Sequence, residues 1–385
     1  MTQKKTRLAL IGYGAIGKVH TYAYKVLPFH YAELPLEPVP TWVAVRRRHT
    51  GPQALREGGF KYCATDFHTA INAADTDFVD CCTPNHLHLP VAVAASKAGK
   101  AIYCEKPLAR DLAEAKTMLA AVEEAGVAHQ VAFNYRFVPA VIRAQQLIAA
   151  GRLGNILAFR FYYLHSGYTN PNRPISWRMQ KAISGSGALG DLGSHIIDLS
   201  RFLLGEYQAV SAILHTYIKE RPIAEHPGAT GVVDVDDAFL CQAKLANGAI
   251  GTLEATRMAT GANDDLRFEI HGALGALRFN LMEPNRLAFY DATRPGEPLG
   301  GERGYTYVDT IGNYLPPAHF PSARAPVGWL RFHIASQYDF LCRLAGLPAI
   351  GATFVDGLRT QEIMTAIALS SERGAWVDMA EVQAL

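Results

Sequence analysis

Asp191 and His195 stand four residues apart in GSGALGDLGSHIIDLSRFLLG, the stretch Gly185–Gly205. Leu192, Ile196, Leu199 and Leu203 recur three and four apart around them, which predicts a helix ended by Gly205. On such a helix both side chains project from one face. A carboxylate in the first turn suits the positive end of the helix dipole. A histidine beside it is held in one tautomer and can move protons near neutral pH. Gly185, Gly187 and Gly190 would let a ligand approach the backbone closely. By itself the pair is equally a helix cap beside a half-buried core histidine, so the choice depends on the rest of the chain.

The chain has 385 residues, more than a single core of roughly 250–300 residues usually holds, and so predicts two domains. The border falls near residue 150, giving 1–150 and 151–385, with the last helices free to pack back on the first domain. In the first part strands and helices alternate, the pattern of a doubly wound parallel sheet, that is, an α/β Rossmann domain. The apolar run Arg7–Ile11 ends in GYGAIG, and a helical stretch from Ile16 to Leu27 follows. Strand, G-x-G-x-x-G, helix is the context that makes this motif a dinucleotide site. Gly12 permits the tight turn, Gly14 admits the pyrophosphate and Gly17 lets helix pack on strand. Tyr13, Ala15 and Ile16 complete the turn as cofactor-binding candidates. A Pro-rich connector leads to a second strand, Trp42–Val45, followed by Arg46, Arg47 and Arg48. Guanidinium groups at that place favour a 2′-phosphate, a slight lean to NADP over NAD.

Three later strands end in polar clusters: Phe78–Cys82 in Thr83, Pro84, Asn85 and His86; Ala101–Cys104 in Glu105 and Lys106; Ala128–Phe133 in Asn134, Tyr135 and Arg136. In open α/β sheets ligands bind beyond the carboxyl ends of the strands. Turn formation accounts for Thr-Pro-Asn but explains Lys106 and Arg136 poorly. Beyond residue 150, seven strand-like segments between Ile156 and Asp291 are separated by short turns such as Ala246-Asn247-Gly248, which predicts an antiparallel sheet. Glu220–Asp237 reads as a loop without a catalytic signature. Two helices, Trp329–Leu344 and Phe354–Ser371, close the chain.

With GYGAIG, TPNHLH, CEKPLA, NYR and GDLGSH in this order, the sequence resembles the Gfo/Idh/MocA family of nicotinamide-dependent sugar and inositol dehydrogenases. The resemblance runs through both domains. It implies a Rossmann domain followed by an α+β domain with an open, predominantly antiparallel sheet, whose free face pairs between subunits as a homodimer or homotetramer. It also implies that Lys106, Asp191 and His195 are catalytic. Thr83, Pro84, Asn85, His88, Glu105, Lys106 and Asn134 would lie against the cofactor, NAD or NADP. Lys106, Asn134, Tyr135, Arg136, His165, Trp177, Arg178, Asp191 and His195 would meet the substrate, with Lys181 following the same WRxxK pattern.

Oxidising a secondary alcohol removes the hydroxyl proton while hydride leaves the same carbon. His195 is expected to take the proton, oriented by Asp191, and Lys106 to hydrogen-bond the hydroxyl and stabilise the alkoxide. The amine, the carboxylate and the imidazole are therefore expected to converge beside the nicotinamide. Two alternatives stand: an NADPH-dependent reductase of keto-sugars or aldehydes, and a nicotinamide-binding sensor on the same fold. A sensor has no need of all three groups.

A net charge of +2 without a long basic run gives no reason to expect nucleic acid as a partner. No window approaches the roughly 20 apolar residues of a membrane span, and the apolar run Leu8–Ile11 is short for a leader. The six cysteines show neither CxxC nor zinc-type spacing, so reduced thiols, a cytoplasmic location and no metal are expected. His86 and His88, two apart, lack further ligand-type residues nearby.

Overall fold

The computed structural model describes residues 4–311, 314–322 and 324–385. It divides into two units, Met1–Phe137 with Tyr314–Leu358, and Val138–Asn313 with Arg359–Leu385.

The first unit is built on six parallel strands: β1 (Lys5–Ile11), β2 (Glu37–Ala44), β3 (Tyr62–Ala64), β4 (Phe78–Cys81), β5 (Ala101–Cys104) and β6 (His129–Val131). Their spatial order is β3-β2-β1-β4-β5-β6, the doubly wound order with its switch point between β1 and β4. The sheet is buried on both faces because helices cover both, and strand periodicity sorts the residues. Leu8, Leu10, Phe78 and Tyr103 face one core together with Leu27 and Phe340. Ala9, Ile11, Val79 and Ile102 face the other with Val91 and Met118. Each fully buried Phe or Leu contributes roughly 1.5–3 kcal/mol.

β2 begins five residues before the expected Trp42 and includes Pro38 and Pro40. They are tolerated because β3 pairs only with Trp42–Ala44, leaving the earlier part of β2 as an edge on that side. The helix Ala15–His30 likewise runs through Pro28, close to its C-terminal end.

The second unit carries a nine-stranded sheet from β7 (Ile156–Leu164), β8 (Tyr207–His215), β11 (Ala238–Leu245), β12 (Ile250–Thr256), β13 (Asp265–Gly272), β14 (Gly275–Asn280), β15 (Arg286–Asp291), β16 (Tyr305–Asp309) and β17 (Val377–Asp378). All neighbours are antiparallel except β7 and β12, so the sheet is mixed and mostly antiparallel, as expected. In β11 Phe239, Cys241, Ala243 and Leu245 point into the core, and Leu240, Gln242 and Lys244 point out. The segment read as a loop, Glu220–Asp237, instead forms a hairpin of β9 (Glu220–Ile223) and β10 (His226–Val232). Exposed side chains along β10 hid it from any hydrophobic alternation.

Candidate active site

In the first unit the glycine turn has the shape its motif predicts. Gly12 sits at φ +98°, and a Cβ there would lie 2.6 Å from the carbonyl oxygen of Cys82. A Cβ on Gly17 would lie 2.2 Å from the Gly12 carbonyl oxygen, so strand and helix touch backbone to backbone. Around Gly14 a Cβ would meet nothing within 4 Å. The helix Ala15–His30 starts there with no side-chain cap and no acidic residue in its first turn. Exposed N–H groups at the positive end of a helix suit a pyrophosphate, so these residues fit a dinucleotide. Tyr13 is buried edge-on against Phe60, Ile16 is half-buried, and Ala15 is exposed beside Gly14. Arg46 and Arg47 stand exposed just past the end of β2.

The next three strand ends are tied to one another. His88 is wholly buried, its Nδ1 3.0 Å from the Pro107 oxygen and 3.2 Å from that of Leu108, its Nε2 3.1 Å from the Thr83 oxygen. It clamps the turn after β4 to the turn after β5, a structural duty its motif does not advertise. Thr83 and Pro84 are half-buried, Asn85 is buried, and Lys106 keeps partial exposure with its N–H donating to Glu105 Oε2 at 3.2 Å. Asn134 and Tyr135 are buried, and the Asn134 amide lies 3.1 Å from His333 Nε2. Burial first, and then the nearby His20 charge, hold His333 neutral, its pKa lowered to about 3. Arg136 turns to Asp356, 3.3 Å away, and to the Ile350 carbonyl. Among the described residues, two sets bring ligand-type atoms within 4.8 Å of one another, Cys81-His88-Cys104 and His20-Asp80-Cys82; both His88 nitrogens already face carbonyl oxygens.

In the second unit Asp191 lies in a wide π turn, Leu189–Gly193, and the regular helix Ser194–Leu204 begins after it. Asp191 is therefore not a helix cap. Its Oδ2 accepts from Nη2 of Arg257 at 3.0 Å, and that guanidinium, 2 % exposed, also donates to the Arg178 carbonyl. Burial works against the Arg257 charge, and Asp191, with Tyr168 and Asp236, more than restores it. Gly205 ends the helix at φ +95°, as expected.

His195 is buried, its ring edge-on to Tyr163 at 5.8 Å between centroids. The Tyr163 hydroxyl donates to Asp264, which also holds His165 Nε2 at 2.9 Å. Trp177 is half-buried and stacks under Arg178, with the guanidinium carbon 4.3 Å from the ring centre; Lys181 is exposed nearby in the chain.

Contacts that no sequence motif announces hold this region. Asp236 accepts from the N–H groups of Gly187 and Leu189, each at 2.7 Å, and a Cβ on Gly187 would collide with the Asp236 carbonyl oxygen. Burial raises the Asp236 pKa and these two donors oppose it. Arg257, Asp264 and Tyr163 are likewise unannounced. The one available signal was the acidic run Asp234–Asp237, polar residues at the entrance to an apolar strand.

Both halves match known families. Residues 6–133 match the oxidoreductase family with an NAD-binding Rossmann fold, and 141–278 match the GFO/IDH/MocA C-terminal domain. Levoglucosan dehydrogenase of Pseudarthrobacter phenanthrenivorans is 39% identical over 98% of this chain and 99% of its own. The chain belongs to the Gfo/Idh/MocA family. It is an NAD-dependent oxidoreductase of that family. The solved structure of levoglucosan dehydrogenase in complex with NADH and levoglucosan superposes with a TM-score of 0.90 at 39% identity, covering 98% of this chain and 100% of that one. The scyllo-inositol 2-dehydrogenase (NAD(+)) of Bacillus subtilis is 32% identical over 58% of this chain and 61% of its own. Within the described residues no helix is long and apolar enough to cross a membrane.

Proposed function

We propose that this Gfo/Idh/MocA protein oxidises a secondary hydroxyl of a sugar or anhydro-sugar to the ketone, with levoglucosan as the first substrate to try. The observation that carries this reading is 39% identity over nearly the whole length of levoglucosan dehydrogenase, combined with an intact set of Lys106, Asp191 and His195.

In this mechanism His195 takes the hydroxyl proton, oriented by Asp191, and Lys106 hydrogen-bonds the same oxygen and stabilises the charge that develops on it. Arg257 holds Asp191 in place through its hydrogen bond. Gly12, Gly14 and the N-terminus of the helix that follows would hold the pyrophosphate, and Thr83, Asn85 and Asn134 would flank the nicotinamide, which when bound supplies the hydride acceptor. Tyr135, His165, Trp177 and Arg178 would shape the sugar pocket.

NADH in the relative's structures supports NAD(H) as the working cofactor. The comparisons lend no support to a preference for NADP, so Arg46 and Arg47 are assigned only a secondary affinity for a 2′-phosphate. We further propose a homo-oligomer formed through the open sheet face, where Ile213 and Leu240 are paired across β8 and β11 and are 66% and 56% exposed. Buried free thiols support a reducing, cytoplasmic setting.

A panel of anhydro-sugars, hexoses and inositols, assayed with NAD⁺ and with NADP⁺ by absorbance of the reduced nicotinamide, tests the reading. Turnover of at least one anhydro-sugar or sugar is expected. Turnover of none, with NADH still binding, would leave the sensor alternative.

A further inference from the structure

One buried side chain of the first unit joins three of the segments assigned to the cofactor, and the proposed mechanism does not use it. His20 lies on the helix that follows the glycine turn and is wholly buried. Its Nδ1 lies 3.0 Å from both carboxylate oxygens of Asp80 on β4. Its Nε2 lies 3.0 Å from Oε1 of Glu105, the residue just past β5. Strand periodicity explains the meeting: Asp80 shares its face of the sheet with Phe78, Cys82 and Tyr103, the face covered by the helix of His20. Nδ1 donates to the Asp80 carboxylate, which only accepts, while Nε2 faces Glu105 at ion-pair distance without an aligned hydrogen bond; a cation between two carboxylates is the state this arrangement favours.

The surroundings agree from every side. Burial disfavours the charge, yet Asp80 and Glu105 raise the His20 pKa to about 10. Glu105 is held below its ordinary value against burial, chiefly by His20. The Cys82 thiol, 3.2 Å from Asp80, is pushed up by burial and by that carboxylate. The rings of Tyr103 and His333 lie 5.4 and 5.7 Å from the His20 ring, and the Tyr24 hydroxyl on the same helix is pushed up by burial and then by the Asp80 charge.

Glu105 in turn receives the Lys106 N–H, and neutral His333 receives the Asn134 amide. We propose that His20, held as a cation between Asp80 and Glu105, is a positioning residue that braces Glu105 and through it the backbone of Lys106. Burial, reinforced by the same charge, keeps His333 neutral, its Nε2 3.1 Å from the Asn134 amide nitrogen. The inference rests on the proposed role of Lys106 for its effect on turnover, but not for the charge state itself.

Two measurements separate these. First, ¹⁵N spectra of histidine-labelled whole protein, with and without NADH, should show one histidine with both nitrogens protonated up to about pH 9, missing in His20→Gln. The absence of such a resonance at pH 8 in the wild type overturns the inference whether or not any sugar is oxidised.

Second, with whichever sugar the panel identifies, His20→Gln should lower kcat about 10- to 100-fold while the sugar KM shifts less than about threefold. Its kcat profile should gain an inflection absent from the wild type as Glu105, robbed of its cation, titrates upward. The double variant H20Q/E105Q should lose that inflection and recover at least about fivefold in kcat. A loss of kcat with neither inflection nor recovery means a merely structural role and overturns the proposal, as does kcat within twofold of wild type. Failure of every sugar leaves the spectral arm standing alone.

Discussion

Asp191 accepts a hydrogen bond from Arg257 across 66 residues of sequence, and the two ends of that bond differ in burial. The guanidinium is 2% exposed and the carboxylate side chain 27%, so Asp191 is anchored without being sealed from solvent. Breaking the pair from the acidic side strands a buried cation. Asp191→Asn should therefore destabilise the protein by about 1–3 kcal/mol in urea titrations and cut kcat/KM about 100-fold. A variant with wild-type stability would show that Arg257 does not depend on Asp191.

His195→Ala should lower kcat by about 10²–10⁴-fold, the range of a general base, while NADH affinity by fluorescence stays within about threefold. Turnover within a factor of a few of wild type would remove His195 as the base.

Gly14 and Gly17 should respond oppositely to alanine. Space around Gly14 is open, so Gly14→Ala should fold and melt like the wild type yet bind NADH at least about tenfold more weakly, its methyl occupying the place of the pyrophosphate. Gly17→Ala would force a Cβ to 2.2 Å from the Gly12 oxygen and should lower the melting temperature before any ligand is added. Calorimetry on both apo variants, followed by NADH titration, checks the pair; a destabilised Gly14→Ala that binds NADH normally would contradict it.

Acid should unfold the chain partly through histidines that stay neutral inside it. Burial and then the His20 cation lower His333 to about 3, and burial and then Arg343 lower His129 to about 4. Above pH 6.5 both are neutral whether folded or not. Below it the unfolded chain takes protons that the folded chain refuses, so stability falls from about pH 6.5 towards pH 3–4. His129→Asn keeps an acceptor for the Phe354 N–H and should give a shallower decline in thermal melts between pH 7 and 4. A slope equal to that of the wild type would show that His129 is protonated in the fold.

On the open sheet face Leu240→Lys should break self-association without touching the core, because Leu240 points away from Phe239 and Cys241. Light scattering after size exclusion is expected to show a smaller species than the wild type; an unchanged mass would place the interface elsewhere.

How much of this could be read from the residues follows from the range of each interaction. The glycine turn, the alternation that made the first unit a parallel sheet and the second a mostly antiparallel one, and the helix stop at Gly205 are local, set by backbone freedom and by periods of two and 3.6 residues. The sequence by itself therefore determined the fold class, the family and the placing of candidate groups at strand ends. It left a helix-cap reading of Asp191 open, which the π turn Leu189–Gly193 removes, because a period of 3.6 residues does not announce a π turn. It read Glu220–Asp237 as a loop because a hairpin with exposed side chains carries no hydrophobic alternation.

Only the tertiary structure decided the partners: Arg257 for Asp191, Asp236 for the Gly187–Leu189 backbone, and Asp80 with Glu105 for His20. Each joins segments that meet because a sheet brings distant strands side by side. Charges buried in that way are held by geometry that no local spacing encodes.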